Sequence, residues 1–233
     1  MTWRCLLSFL FFRPESLPRI SQIKASGGEF AKHIDEWKDA PTTFTEEKLE
    51  IFGRSVMEKW EEPYMKELAN IVTSKGGNIL EVGFGMGISA RYIQEREIEE
   101  HIIIEGNADV FVKLEEFAQQ AKHKVTPIFG LWQDVVDTLP NDSFDGILFD
   151  TAPITEDEVI VLRYSFFEQA YRLLKKGGVF SQFMHEIEIT PHYCQRLNEV
   201  GFFNISSTLC SVNLPKDCLY WDKPVMLAPI IIK

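Results

Sequence analysis

One stretch constrains the fold more than any other: Ile79-Leu80-Glu81-Val82-Gly83-Phe84-Gly85-Met86-Gly87, an apolar run that opens into three alternating glycines. The apolar part reads as a strand buried on both faces, and glycine lets the backbone turn sharply and pass close to a ligand. A helical pattern near Ile88–Glu95 follows at once, so the unit is strand, glycine turn and helix, as in a doubly wound α/β sheet. Alone, the motif is equally a tight turn that binds nothing.

The remainder of the chain extends the pattern. Candidate strands Asn78–Val82, His101–Glu105, Lys124–Phe129, Phe144–Asp150 and Val179–Met184 alternate with helical patterns near Ile88–Glu95, Ala108–Ala121, Trp132–Thr138 and Asp157–Leu174. Such alternation predicts a mostly parallel sheet with helices on both faces. A short helix, Pro191–Val200, precedes two β-rich runs near Phe203–Ser211 and Pro224–Ile232, which predict an antiparallel C-terminal end. Upstream, Glu46–Ser74 reads as helical, interrupted at Pro63 and ended before Lys75-Gly76-Gly77. The expected fold class is α/β, a single Rossmann-like domain.

Carboxylates fall at strand ends. Glu105 closes the strand after the glycine turn, 18 residues beyond Gly87, where a carboxylate takes both hydroxyls of a ribose. Asp150 ends Phe144-Asp145-Gly146-Ile147-Leu148-Phe149-Asp150-Thr151 at the carboxyl edge, where open α/β sheets hold their ligands. Either acid alone is an ordinary turn residue, and together they point to a site. Ile88 stands where a dinucleotide fingerprint wants Gly or Ala, which disfavours a nicotinamide oxidoreductase. With Leu173-Leu174-Lys175-Lys176-Gly177-Gly178-Val179, these segments resemble the class I S-adenosylmethionine-dependent methyltransferases. That resemblance implies S-adenosylmethionine as cofactor, its amino-acid end at the glycine loop and its ribose at Glu105.

Charge and cysteine content exclude other classes. With 24 Lys and Arg against 35 Asp and Glu, the net charge of -11 would repel a phosphate backbone, so nucleic acid is not an expected partner. Cysteines 5, 194, 210 and 218 show no C-x-x-C pair, which favours a reducing, cytoplasmic setting over a disulfide framework or zinc site. His185-Glu186 with His192 misses the H-E-x-x-H spacing of zinc proteases, and no metal site is expected. No apolar run is long enough to span a bilayer. The first 28 residues are net positive, and their apolar run Cys5–Phe12 leaves three readings open: a signal peptide, an organellar transit peptide or an unstructured extension.

Longer matches narrow the resemblance. Val56-Met57-Glu58-Lys59-Trp60-Glu61-Glu62-Pro63-Tyr64-Met65, the glycine loop, Gly130-Leu131-Trp132 and the Phe144–Thr151 strand resemble the guanidinoacetate N-methyltransferase family. The likeness runs from about Trp37 to Gly178 and resumes at Leu197–Phe202. It implies residues 1–33 as an N-terminal extension and 34–233 as a methyltransferase domain with an N-terminal lid. It implies cofactor contacts at Trp37, Met57, Gly83, Phe84, Gly85, Met86, Gly87, Ile88, Glu105, Leu131, Trp132 and Asp150. Glu61 and Asp150 would hold a small guanidino substrate, Asp150 as general base and Glu61 as orienter, or with roles exchanged. A monomer is expected. The family makes creatine from guanidinoacetate and includes a relative acting on protein arginine. On residues alone, Val56–Met65 is also an amphipathic helix with its aromatics on the sheet. A protein that binds the cofactor without turnover is the rival reading.

The chain departs from the family after Gly178, where family members receive the substrate carboxylate on a backbone loop. Here that place holds His185 and Glu186. Both are expected to line the far end of the substrate, with Glu186 repelling a carboxylate and favouring a neutral or cationic group.

Overall fold

A computed structural model describes Ile20, Lys24 and residues 27–233. The Cys5–Phe12 run, with its targeting or extension readings, lies outside these residues. The central sheet has seven strands: β4 (Asn78–Val82), β5 (Glu100–Glu105), β6 (Lys124–Phe129), β7 (Phe144–Phe149), β8 (Leu174–Gln182), β9 (Asn204–Ser211) and β10 (Val225–Ile232). Their order is β6-β5-β4-β7-β8-β10-β9. β4 pairs in parallel with both β5 and β7, whereas β10 runs antiparallel to β8 and β9. The chain winds outward from β4 to β6 and then returns beside β4 as β7. That reversal opens a crevice at the carboxyl ends of β4 and β7, the place where such sheets bind ligands.

Strand alternation sorts the core onto the two faces. Ile79 packs with Tyr64, Met65, Leu68 and Val72 of helix α1 (Glu62–Val72), whereas Leu80 packs with Phe149, Phe166, Phe180 and Tyr193 on the other face. Gly146 lets α1 lie directly on β7, because a Cβ there would come 1.8 Å from the Val72 carbonyl oxygen. Along the chain follow α2 (Ile88–Gln94), α3 (Ala108–Gln120), α4 (Trp132–Val135), α5 (Glu158–Ser165), α6 (Phe167–Leu173) and α7 (Pro191–Val200). Among the described residues no helix is long and apolar enough to cross a membrane.

The structure corrects the sequence reading between Glu46 and Glu61. A small sheet stands there instead of a helix: β1 (Thr42–Phe44), β2 (Lys48–Ile51) and β3 (Arg54–Glu58), all antiparallel. Lys48-Leu49-Glu50-Ile51 alternates, with Leu49 and Ile51 buried among Trp37, Phe84 and Leu131. Phe52 and Gly53 connect the strands with φ of 54° and 67°, the two-residue turn that suits strand twist. Pro63 lies in the first turn of α1 and so starts the helix that it was expected to interrupt. The Asp157–Leu174 helix is divided at Phe166, which stacks on Phe149 at 4.5 Å. β8 begins earlier than expected, at Leu174, and passes through Gly177 and Gly178. Residues 29–31, within the expected extension, are tied down: Glu29 N donates to Phe52 O and Ala31 N to Ile154 O.

Candidate active site

A cavity of about 620 Å³ lies over the carboxyl ends of β4, β5 and β7, beneath the β2–β3 hairpin. Its floor follows from close backbone packing. Gly83 has φ of 95°, and a Cβ there would meet Asp150 O at 2.1 Å. Asp150 N donates to Val82 O at 2.9 Å, so the aspartate leaves β7 immediately beside the glycine turn.

One half of the cavity is lined by Trp37, Met57, Gly83, Gly85, Glu105, Leu131 and Trp132. Glu105 is buried, and its carboxylate accepts from Asn107 N at 2.7 Å and Phe84 N at 3.0 Å. Burial raises its pKa, and these backbone N–H groups oppose the shift. Asn107 caps α3 through its Oδ1, while its amide donates to Trp37 O at 2.9 Å and Ala40 O at 2.8 Å. The segment carrying Trp37 is thereby fixed over Glu105. Met57 covers Gly85, where a Cβ would come 2.9 Å from Sδ. An apolar slot with a carboxylate at its base, closed by glycine against side chains, fits a nucleoside joined to an amino-acid tail.

The glycine loop divides. Gly83 and Gly85 line this cavity, whereas Phe84, Met86, Gly87 and Ile88 do not. Phe84 packs on Phe117 at 5.5 Å between ring centroids, Met86 N donates to Met57 Sδ, and Ile88 sits in the α1 core. These four residues shape the turn from behind. Phe44 lies on that outer side too, in a separate pocket with Lys113.

The other half holds both expected acids. Glu61 is buried at the end of the short turn Lys59–Glu61, which β3 delivers to the cavity. Its Oε1 accepts from Glu58 N at 2.8 Å and from the Tyr220 hydroxyl at 2.7 Å. Burial pushes its pKa up to about 8, against the hydrogen bond from Tyr220 and with the nearby charge of Asp150. Asp150 is pushed up to about 7, chiefly by burial and then by Glu81. Asp150 Oδ2 is buried with no hydrogen-bond partner. Glu81 itself faces the interior, where Ser89 Oγ donates to it and His101 Nε2 lies 2.9 Å away.

His185 lines the cavity as expected, whereas Glu186 does not. Tyr64, whose hydroxyl donates to Leu227 O and accepts from Met184 N, holds this end of β8. Phe183 packs on both Tyr64 and His185. Burial and then Arg163 push His185 down to about 4, so it is neutral near pH 7. Glu186 forms an ion pair with Arg163. The expected repulsion of a substrate carboxylate is therefore corrected: a paired carboxylate outside the cavity exerts little net field within it. Two lining residues had no sequence signal of function. Tyr220 comes from the irregular 212–224 connection, and Arg54 sits in the stretch read as helix.

The family described as guanidinoacetate N-methyltransferase matches residues 24–233. Protein arginine N-methyltransferase 2 of Yarrowia lipolytica is 32% identical over 160 residues, covering 64% of this chain and 33% of that protein. The Saccharomyces cerevisiae protein of the same name is 32% identical over 136 residues, covering 55% and 32%. The chain thus spans about a third of the length of these curated relatives. Among solved structures, spermidine synthase from Thermotoga maritima superposes with a TM-score of 0.58 at 14% identity, over 88% of this chain and 80% of that one. M. jannaschii TYW2, solved in complex with AdoMet, gives 0.56 at 14%, over 84% and 85%. At such identity these two similarities show the shared fold.

Proposed function

This chain belongs to the guanidinoacetate N-methyltransferase family, and on that premise we propose that it transfers a methyl group from S-adenosylmethionine to a guanidino nitrogen of a small molecule. The observation that carries the reading is a pair of carboxylates, buried Glu61 and half-buried Asp150, lining one cavity, with Asp150 Oδ2 buried and unpartnered. A buried acid without a partner is costly, and a guanidinium presents paired N–H donors that match carboxylates.

S-adenosylmethionine, when bound, offers a methyl group on a positive sulfonium. Trp37, Met57, Leu131 and Trp132 would enclose it, with Glu105 on the ribose hydroxyls and Gly83 and Gly85 along the amino-acid end. Glu61, fixed by Tyr220 and the Glu58 backbone, orients the guanidinium. Asp150 holds the reacting nitrogen in line with the methyl carbon, and orientation of this kind supplies much of the rate. Asp150 Oδ2 is placed to take the proton that this nitrogen loses on receiving the methyl group, which the cofactor would supply with its neutral thioether as the leaving group. A base whose pKa lies near 7 suits this step. The two negative charges also offset the repulsion between guanidinium and sulfonium.

A second reading, methylation of arginine within a protein, draws support from the names of the curated relatives. Both readings are tested by assaying methyl transfer from S-adenosylmethionine to guanidinoacetate, arginine, agmatine and an arginine-containing peptide. The expected result is methylated product from at least one free guanidine, with Asp150→Asn lowering kcat by about a hundredfold or more. Glu61→Gln should raise KM for the guanidine as well as lowering kcat. Product from the peptide alone selects the second reading, and near wild-type turnover in Asp150→Asn removes the proposed base.

A further inference from the structure

Among the described residues β6 ends the seven-stranded sheet on one side and β9 on the other. The two edges are guarded differently. β6 carries Lys124 and Pro127, a charge and a missing N–H of the kind that keeps an edge strand from pairing. β9 is longer, has neither lysine nor proline, and follows β10 residue for residue without a bulge. No charged residue stands between Glu199 and Lys216, in a chain whose net charge is -11. Phe203, immediately before β9, and Leu209 within it are 77% and 58% exposed, more than any other large apolar side chain among the described residues. A flat, uncharged edge with exposed apolar side chains is a template for another strand.

We infer that a second copy of this chain covers this edge, β9 against β9, antiparallel about a two-fold axis at Ser206. Spacing selects the occupant. Phe203 and Leu209 stand three residues to either side of Ser206, so the axis sets Phe203 of one copy opposite Leu209 of the other, and does so twice. Asn204 then meets Thr208, Ile205 meets Ser207, and Ser206 meets itself. The even separation of Phe203 and Leu209 directs both to one face of an extended chain. Ile205 shares that face and packs with the core around Phe180. Charge agrees with spacing. A two-fold contact brings each residue near the axis against its own copy, so any charge there would repel itself, and this uncharged strand is where two acidic molecules can meet. The pairing joins two sheets into one and replaces the monomer expected from sequence. β9 lies three strands from β7, beyond β8 and β10, about 14 Å away, which leaves the cavity open in the pair.

The test is sedimentation velocity across the micromolar range, in which wild type should pass from monomer to dimer. Ser206→Lys sets two lysines face to face and should raise the dimer Kd roughly tenfold or more, as should Ser206→Glu. An equimolar mixture of the two variants should pair again, a recovery that a damaged fold could not give. Register is read by cross-linking. Directly opposed residues of an antiparallel pair have Cα atoms about 4.5–5.5 Å apart, within reach of a disulfide. Ser206→Cys should therefore cross-link to its copy under mild oxidation, above the background set by wild type with its native cysteines. Ser211→Cys, about 33 Å from its copy in this register, should stay at that background. A wild type that is monomeric at every concentration overturns the inference and leaves the edge to a strand of another protein. A dimer indifferent to both charged variants, or one cross-linked through Ser211→Cys and not through Ser206→Cys, overturns it as well.

Discussion

At Glu105 a single carboxylate both orders the glycine turn and lines the cavity. Its hydrogen bonds to Phe84 N and Asn107 N join the loop after β4 to the loop after β5, so removing it disturbs the shape of the slot as well as the proposed ribose contact. Glu105→Ala should weaken S-adenosylmethionine binding by roughly tenfold or more, since a hydrogen bond to a charged group is worth about 1.5–3 kcal/mol. Calorimetric titration reads this, and an unchanged affinity would take Glu105 out of the cofactor site. Glu186 teaches the complementary lesson. Its negative charge is plain in the sequence, but its effect on a ligand depends on Arg163, which reaches it from α5.

Among the elements, the β2–β3 hairpin and α1 set the cavity between them. The hairpin brings Arg54, Met57 and Glu58 over the sheet, and the turn at Lys59–Glu61 passes directly into α1, so Glu61 is anchored to a helix that packs on the core. That packing relies on Gly146, where α1 approaches β7 at its Val72 carbonyl. Gly146→Ala would drive a methyl into backbone on the opposing element, and neither partner is a flexible side chain. We expect a loss of about 1–3 kcal/mol or more in unfolding free energy, measured by urea denaturation. A variant as stable as wild type would mean that α1 shifts freely on the sheet.

For the whole molecule, the two cavity acids connect pH to stability. Glu61 and Asp150 stand at about 8 and 7 in the folded chain, against ordinary carboxylate values of about 4 when unfolded. The folded protein therefore binds these protons more tightly, and the stabilisation they bring is complete below about pH 4 and lost as pH rises through 7 to 8. The ligand-free melting temperature should fall between about pH 4 and 8, and level off above, relative to a Glu61→Gln, Asp150→Asn double variant. A bound guanidinium favours the ionised pair and should recover the loss. Scanning calorimetry checks both, and a wild type that tracks the double variant across this range would deny the pair its protons. By itself the sequence determined the parallel sheet, its antiparallel end, the glycine turn and the strand-end acids Glu105 and Asp150, because those features are local: an apolar run, a turn chemistry, a residue at a strand terminus. Tertiary structure alone decided the rest. Glu46–Glu61 carries charges at spacings that suit either a helix or a strand, and burial of Leu49 and Ile51 under Trp37 selects the strand. Tyr220 meets Glu61 across 159 positions, and Arg54 meets Pro153 across 99. Contacts at such separation are set by how the layers stack, which no local pattern encodes.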